Sequence, residues 1–355
     1  MDEAAIRDIL SGRRRGLAAS ALRALLAALS APYAGLMRLR RWAYRHGLIG
    51  SHAAGVPVIS IGNVTTGGTG KTPMVAWVVQ RLRQAGRDPA VLMRGYKADA
   101  GVSDEAEMLF KQTGAAVVVN PDRVAAAAAA VKGGVDCLVL DDGFQHRRLR
   151  RDLDVVLIDA TNPFGFGRVL PRGLLREPVS ALRDADAVVI TRCDLIAPAD
   201  LAALRDRLAG LAPSASMHLA GHVVTTVITP SGQRAPGTVL AGKRVGAFCG
   251  LGNPEAFFAT LAQARADVVA TVAFDDHTAY DAAALDRIAS VAGDCDILVT
   301  TAKDRVKIAD PSVLPAPLWT VQVAIGLTEG ADELDSRILA AAGVDAAAAA
   351  RTMRP

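Results

Sequence analysis

Apolar and polar positions change period several times along the chain. Residues 56–62, "VPVISIG", form a short apolar run rich in β-branched side chains, the pattern of a strand buried in a parallel sheet. Apolar positions then recur at helical spacing through Val75, Val78, Val79 and Leu82, and Gly86 supplies a stop. Strand-like runs follow at 89–95, 115–120, 136–142, 154–160 and 186–195, with a helical stretch at 122–134 between two of them. Such alternation predicts an α/β fold whose mostly parallel sheet is covered on both faces, with ligands at the carboxyl ends of the strands. After about Pro213 a second strand–helix series begins, at 217–230, 243–264 and 293–304. We therefore expect an N-terminal segment 1–50, a first domain 51–215, a smaller α/β domain 216–345 and a tail 346–355. The length of 355 residues suits two domains. No period of 20–50 residues recurs, so the chain is not a repeat protein.

The first 50 residues break this pattern. Residues 24–37, "ALLAALSAPYAGLM", lack charge and are bounded by Arg23 and Arg38. That run is shorter than the roughly 20 residues a spanning helix needs, and Pro32 is expected to interrupt it. Next comes "RLRRWAYR", with Trp42 and Tyr44 among arginines. Charge changes the picture here. Nine Arg against Asp2, Glu3 and Asp8 give this segment a net +6, in a chain whose total is only +4. Apolar residues beside Arg and interfacial aromatics suit a helix lying on an anionic membrane surface. An amphipathic helix packed on its own domain has the same pattern, and a cleaved signal peptide shares part of it. The four Cys are far apart and form no C-x-x-C, which argues against a zinc site or disulfide framework and fits a reducing compartment. No nucleic-acid partner is expected from so weak an overall charge.

Between the first strand and its helix lies "NVTTGGTGKTP". Strand, Gly-rich turn and helix are the context a phosphate-binding loop requires. Thr65, Thr66, Gly67, Gly68, Thr69, Gly70, Lys71 and Thr72 are the candidate ATP-binding residues. The glycines let backbone N–H groups turn toward a phosphate, and the helix N-terminus adds positive potential. Lys71 would neutralise the β- and γ-phosphates, and Thr72 would offer its hydroxyl to Mg²⁺. Thr65 stands where the usual pattern has its first Gly. The run 136–142 ends in Asp141 and Asp142, the form of an element whose acid supports Mg²⁺ opposite the loop Thr. Two acids opening a turn is the alternative. Arg147, Arg148, Arg150 and Arg151 would meet an anionic substrate or lipid headgroups, or form a solvated turn. "TRCDL", 191–195, is similar to the N/T-K-x-D element that reads guanine in GTPases, and is also an ordinary strand end followed by Asp. Asp104 and Glu105 fit the first turn of a helix that Ser103 would cap.

Taken together, the chain resembles the tetraacyldisaccharide 4'-kinase family. The resemblance spans most of the sequence. It is carried by "GNVTTGGTGKTP", "RGY" (94–96), "SDE" (103–105), "LDDGFQHRRLRRDLD" from 140, "GRVLPRGLLREP" from 167, "FDDHTAY" (274–280) and "TAKD" (301–304). In that family the first-Gly position is normally not Gly, as at Thr65. The resemblance implies an ATP-dependent, Mg²⁺-requiring kinase of an acylated disaccharide 1-phosphate, working at the cytoplasmic face of the bacterial inner membrane. It implies a P-loop NTPase core, a smaller C-terminal α/β domain on a two-stranded linker, and a cleft between them. It gives Lys71 a catalytic role, Asp104 that of catalytic carboxylate and His277 that of its partner. Thr72, Asp141, Asp142 and Glu177 would surround the metal, and Glu105, Arg123, Gln145 and His146 would line the cleft. This chain departs from the family wording at Thr278 and Ala302, which bears on substrate positioning more than on reaction class. A regulatory GTPase or partition-type ATPase, and a nucleotide-binding module without catalysis, are the alternatives that use the same loop.

Overall fold

The computed structural model describes residues 3–95, 104–275 and 278–344, apart from the side chains of 3–5, 7 and 104. The chain begins with helices α1 (Glu3–Ser11) and α2 (Leu17–Arg45). Strands and helices then alternate: β1 (Val58–Asn63), α3 (Lys71–Gln84), β2 (Pro89–Met93), α4 (Asp104–Thr113), β3 (Ala116–Val119), α5 (Arg123–Lys132) and β4 (Cys137–Asp141). Next come β5 (Leu153–Asp159), β6 (Ala187–Thr191), α6 (Pro198–Leu211) and β7 (Ser216–Ile228). The chain continues through β8 (Arg234–Pro236), β9 (Arg244–Cys249), α7 (Pro254–Gln263), β10 (Asp267–Ala273), α8 (Ala282–Ala289) and β11 (Ile297–Thr301). It closes with α9 (Ala302–Arg305), β12 (Leu318–Glu329) and α10 (Ala331–Ala341).

Two compact units divide these elements, 1–220 with 327–355, and 221–326. The expected boundary near 215 thus falls five residues later, and the chain returns to the first unit at Leu327. The C-terminal stretch expected in the second domain therefore splits. Helix α10 is tied to α3 of the first unit by Arg81, whose guanidinium donates twice to Asp335 at 2.6 Å. A linear pattern cannot signal this return, because the tie is made by residues 254 positions apart.

In the first unit the strands lie in the order β3-β2-β4-β1-β5-β6-β7, all parallel. Strands β1, β2, β5 and β6 are buried along their whole length, as their unbroken apolar runs predict. The β4-to-β5 connection passes over β1, so the order reverses there. A switch point of this kind opens a crevice at the carboxyl ends of β1 and β4. Gly62 at the end of β1 allows the turn after β4 to enter: a Cβ there would lie 2.5 Å from that of Phe144. The second unit has β10, β9, β11 and β12 in parallel order around Phe248, Phe257, Leu298 and Val299. In it Asp304 of "TAKD" is fully buried, accepting from the Gly250 N–H and the Thr301 hydroxyl. Strands β7 and β12 run through the boundary between units.

Pro32 does not interrupt the N-terminal helix. Helix α2 continues for 29 residues with Pro32 inside it. The lost backbone hydrogen bond is offset by tertiary anchors on both sides of the proline. Ser30 accepts from the Arg172 N–H and donates to the Val169 carbonyl. Tyr33 donates to the Arg176 carbonyl, and Arg41 forms two hydrogen bonds with Asp184. The opposite face leaves Leu25, Leu29, Leu36, Leu39 and Trp42 exposed. By length and composition α2 is long and apolar enough to cross a bilayer, with a mean hydropathy of 1.4 over its most apolar 18 residues.

Candidate active site

The loop from Val64 to Gly70 is built by its neighbours. Asn63 Nδ2 donates to Thr69 Oγ1 at 2.9 Å across it, and Gln145 Nε2 donates to the Asn63 carbonyl at 2.8 Å. The Thr66 N–H donates to the Leu174 carbonyl, and Thr65 bridges to Leu175. Thr65, only 6% exposed, therefore serves as a packed contact to "GLLREP" where the common pattern has Gly. Gly70 is left-handed, with φ 89°, and Lys71 starts α3 directly after it. No side chain caps that helix and no acid lies in its first turn. Its first N–H groups and its positive dipole end are left for an anion.

Opposite the loop stand Asp141 and Asp142. Asp142 adopts φ 57°, a conformation Asp tolerates better than most residues, and this turns its carboxylate toward Lys71 and Arg176. Lys71 Nζ lies 3.5 Å from one oxygen and Arg176 donates to the other at 2.6 Å. Burial alone would raise the Asp142 carboxyl, but Lys71 and Arg176 outweigh it and hold it below its usual value. Asp141 behaves oppositely. Burial, with Asp142 and Glu105 adding to it and Lys71 and Arg123 opposing, pushes it up to about 6. Its Oδ1 is enclosed and has no hydrogen-bond partner among the described residues. The influence of Glu105 brings the start of α4 electrostatically to this pair of acids. A carboxyl raised in the folded state lends stability that is full below about pH 3.8 and lost as pH passes about 6. The amount is up to about 3 kcal/mol, less where water reaches the side chain. Asp141→Asn is accordingly expected to gain stability over the native protein as pH rises from 5 to 8. Thermal midpoints of both proteins across that range check it, and a difference independent of pH would count against the assignment.

Arg123, Gln145 and His146 also reach this crevice. Arg123, 3% exposed at the start of α5, donates to the Asp141 carbonyl at 3.3 Å. His146 is pushed down to about 4 by burial and then by Arg123, Arg148, Arg151 and Arg40, so it is neutral at pH 7. Gln145 Oε1, His146 Nε2 and Arg123 Nε have no hydrogen-bond partner among the described residues. Glu177, 2% exposed, pairs with Arg147 at 3.5 Å and with Arg40 of α2 at 3.9 Å. The arginines after "DDGFQH" divide into two kinds. Arg147 is buried between Glu177 and Asp184, and Arg151 is paired with Asp154. Arg148 and Arg150 are exposed.

Ser103 and His277 lie outside the described residues, as does the Asp104 side chain; the Asp104 backbone begins α4. Sequence reasoning missed Asn63, Arg176 and the α2 residues Tyr33, Arg40 and Arg41. The first two stand inside quoted motifs, which was the available signal. The α2 contacts had none. Among the described residues no three His, Cys, Asp or Glu side chains gather as a metal-holding group.

The family model described as tetraacyldisaccharide-1-P 4'-kinase matches residues 22–342. A tetraacyldisaccharide 4'-kinase of Geobacter metallireducens is 42% identical over 310 residues, covering 80% of this chain and 88% of its own. One from Anaeromyxobacter sp. (strain Fw109-5) is 44% identical over 324 residues, covering 84% and 86%. A crystal structure of LpxK from Aquifex aeolicus in complex with ATP superposes with a TM-score of 0.69 at 26% identity, over 90% of this chain and 99% of that one. A match of this extent has one meaning: the chain belongs to the tetraacyldisaccharide 4'-kinase family.

Proposed function

We infer that this protein transfers the γ-phosphate of ATP to the 4'-hydroxyl of a tetraacyldisaccharide 1-phosphate, forming lipid IVA in lipid A biosynthesis. The observation that carries this is the uncapped start of α3, with Lys71 facing Asp142, in a chain matched by the family model from 22 to 342. Phosphoryl transfer asks a protein mainly for positioning and charge neutralisation. The loop N–H groups and Lys71 supply both for the transferred phosphate. Residues 65–72 are the ATP-binding set in this proposal.

Mg²⁺ fits the residues present. Magnesium takes one or two carboxylates and completes its shell with phosphate and water. Asp141, with its enclosed unpartnered oxygen, Asp142 and the Thr72 hydroxyl are such a donor set. When bound, the ion would neutralise charge shared by the β- and γ-phosphates. Glu177 follows Arg176, which binds Asp142, and is itself ion-paired with Arg147 and Arg40. Asp104 is proposed as the carboxylate that receives or orients the sugar hydroxyl proton, and His277 as its partner; that pairing rests on the motif match. Glu105, Arg123, Gln145 and His146 are proposed to line the acceptor site. The exposed apolar face of α2 and the Arg-rich segment around it favour residence on the cytoplasmic face of the inner membrane.

The test incubates the full chain with ATP, Mg²⁺ and a tetraacyldisaccharide 1-phosphate in detergent, and follows the 4'-phosphorylated product. Product is expected, and folded protein that makes none overturns the activity. Asp104→Ala is expected to lower kcat by about a hundredfold or more; a native rate would remove Asp104 from the mechanism while leaving the activity standing.

A further inference from the structure

The "TRCDL" segment is not absorbed by the reaction described above. Its first two residues lie behind the phosphate loop. Thr191, fully buried at the end of β6, donates from Oγ1 to the Thr69 carbonyl at 3.1 Å. Arg192, 8% exposed, donates to the Gly68 carbonyl at 2.9 Å. It is also ion-paired with Asp159 at the end of β5. Arg192 has φ 56°, a left-handed conformation that non-glycine residues seldom adopt. Asp159 is itself fixed by the Thr161 N–H at 3.0 Å and the Thr161 hydroxyl at 2.7 Å.

We propose that Thr191 and Arg192 are positioning residues that set the polarity of the phosphate loop by holding two consecutive peptide planes. In a trans peptide the carbonyl of one residue and the N–H of the next point in opposite directions. Anchoring the Gly68 carbonyl toward Arg192 therefore turns the Thr69 N–H the other way. Anchoring the Thr69 carbonyl toward Thr191 does the same for the Gly70 N–H. The two hydrogen bonds together present successive N–H groups on the side away from β6 and keep the carbonyl dipoles from that side. The loop needs this restraint because Gly67 and Gly68 give its backbone unusual freedom, and a flipped plane would offer an oxygen to an anion. Asp159 balances the charge of Arg192, so a buried guanidinium can do this without drawing phosphate to the wrong side of the loop. The segment that resembles a guanine reader thus acts on the phosphates and not on the base.

The proposal rests on the kinase reading only for its ligand, ATP. Titration with AMP-PNP and Mg²⁺ needs no lipid acceptor, so its outcome is independent of whether the acceptor has been identified. The variants are Thr191→Val, which keeps shape and removes the hydroxyl, Arg192→Met and Arg192→Lys. The probes are AMP-PNP, inorganic tripolyphosphate and adenosine, with thermal midpoints measured alongside. Thr191→Val and Arg192→Met are expected to weaken AMP-PNP and tripolyphosphate in parallel by roughly tenfold, the scale of one lost hydrogen bond to a charged group. Adenosine affinity is expected to stay native, and Arg192→Lys to recover part of the loss. KM for ATP should rise more than kcat falls. Native tripolyphosphate affinity in Thr191→Val overturns the proposal, even if the arginine variants fail to fold. So does a loss shared equally by adenosine, which would return the segment to reading the base.

Discussion

Lys71→Met is expected to lower kcat/KM for ATP-dependent 4'-phosphorylation about a thousandfold or more. Lys71 is the first residue of α3, and its side chain is 15% exposed. Methionine keeps the packing of the stem and removes only the charge, so folding should survive. A thousandfold corresponds to about 4 kcal/mol of transition-state stabilisation. That is a share expected of a cation which, in the proposed mechanism, neutralises the β- and γ-phosphates in a half-enclosed crevice. Arginine should rescue poorly, because its planar fork does not occupy the place of a compact ammonium. A second consequence is independent of the rate. Lys71 lowers both Asp141 and Asp142, so its loss should move both carboxyls upward and shift the acid limb of the pH–rate profile to higher pH. Steady-state kinetics within tenfold of native would remove Lys71 from the role assigned to it.

Arg147→Met is expected to destabilise the first unit by about 3 kcal/mol, the lower end of what breaking a buried ion pair costs. Arg147 joins Glu177 to Asp184, and all three are largely enclosed. Asp184 would keep Arg41 at 2.8 Å and Arg45 at 3.1 Å. Glu177 would keep only Arg40 at 3.9 Å, so the uncompensated charge falls there among the described residues. The double variant Arg147→Met with Glu177→Gln removes both charges and should recover most of the loss. If it is no more stable than Arg147→Met alone, the electrostatic account fails. The same chain of ion pairs joins α2 to Gln145 and Glu177, because Arg40 also donates to the Gln145 carbonyl. The helix with the exposed apolar face is therefore built into the wall of the crevice.

Much of this was legible in the sequence. Unbroken β-branched runs located β1, β5 and β6, because strands buried on both faces have no polar alternation to blur them. "GGTGKT" located the loop, since its glycines and its Lys–Thr pair answer to backbone and phosphate chemistry that are local. The acids at the end of β4, Asp141 and Asp142, were located for the same reason. Pro32 was misleading because a local helix penalty was offset by contacts with Val169, Arg172, Arg176 and Asp184, all more than 130 residues away.

The sequence by itself determined the phosphate-binding loop and most of the local elements, since both depend on short runs of residues whose chemistry is complete within the run; the reaction class came from the resemblance of several motifs to one family. Tertiary structure alone decided three things: that α10 rejoins the first unit, that α2 stays whole across its proline, and that Thr191 and Arg192 hold the phosphate loop. Each depends on a hydrogen bond or ion pair between distant parts of the chain. Such a contact has no period and no motif, because its energy depends on where folding places the partners and not on what lies beside them in sequence.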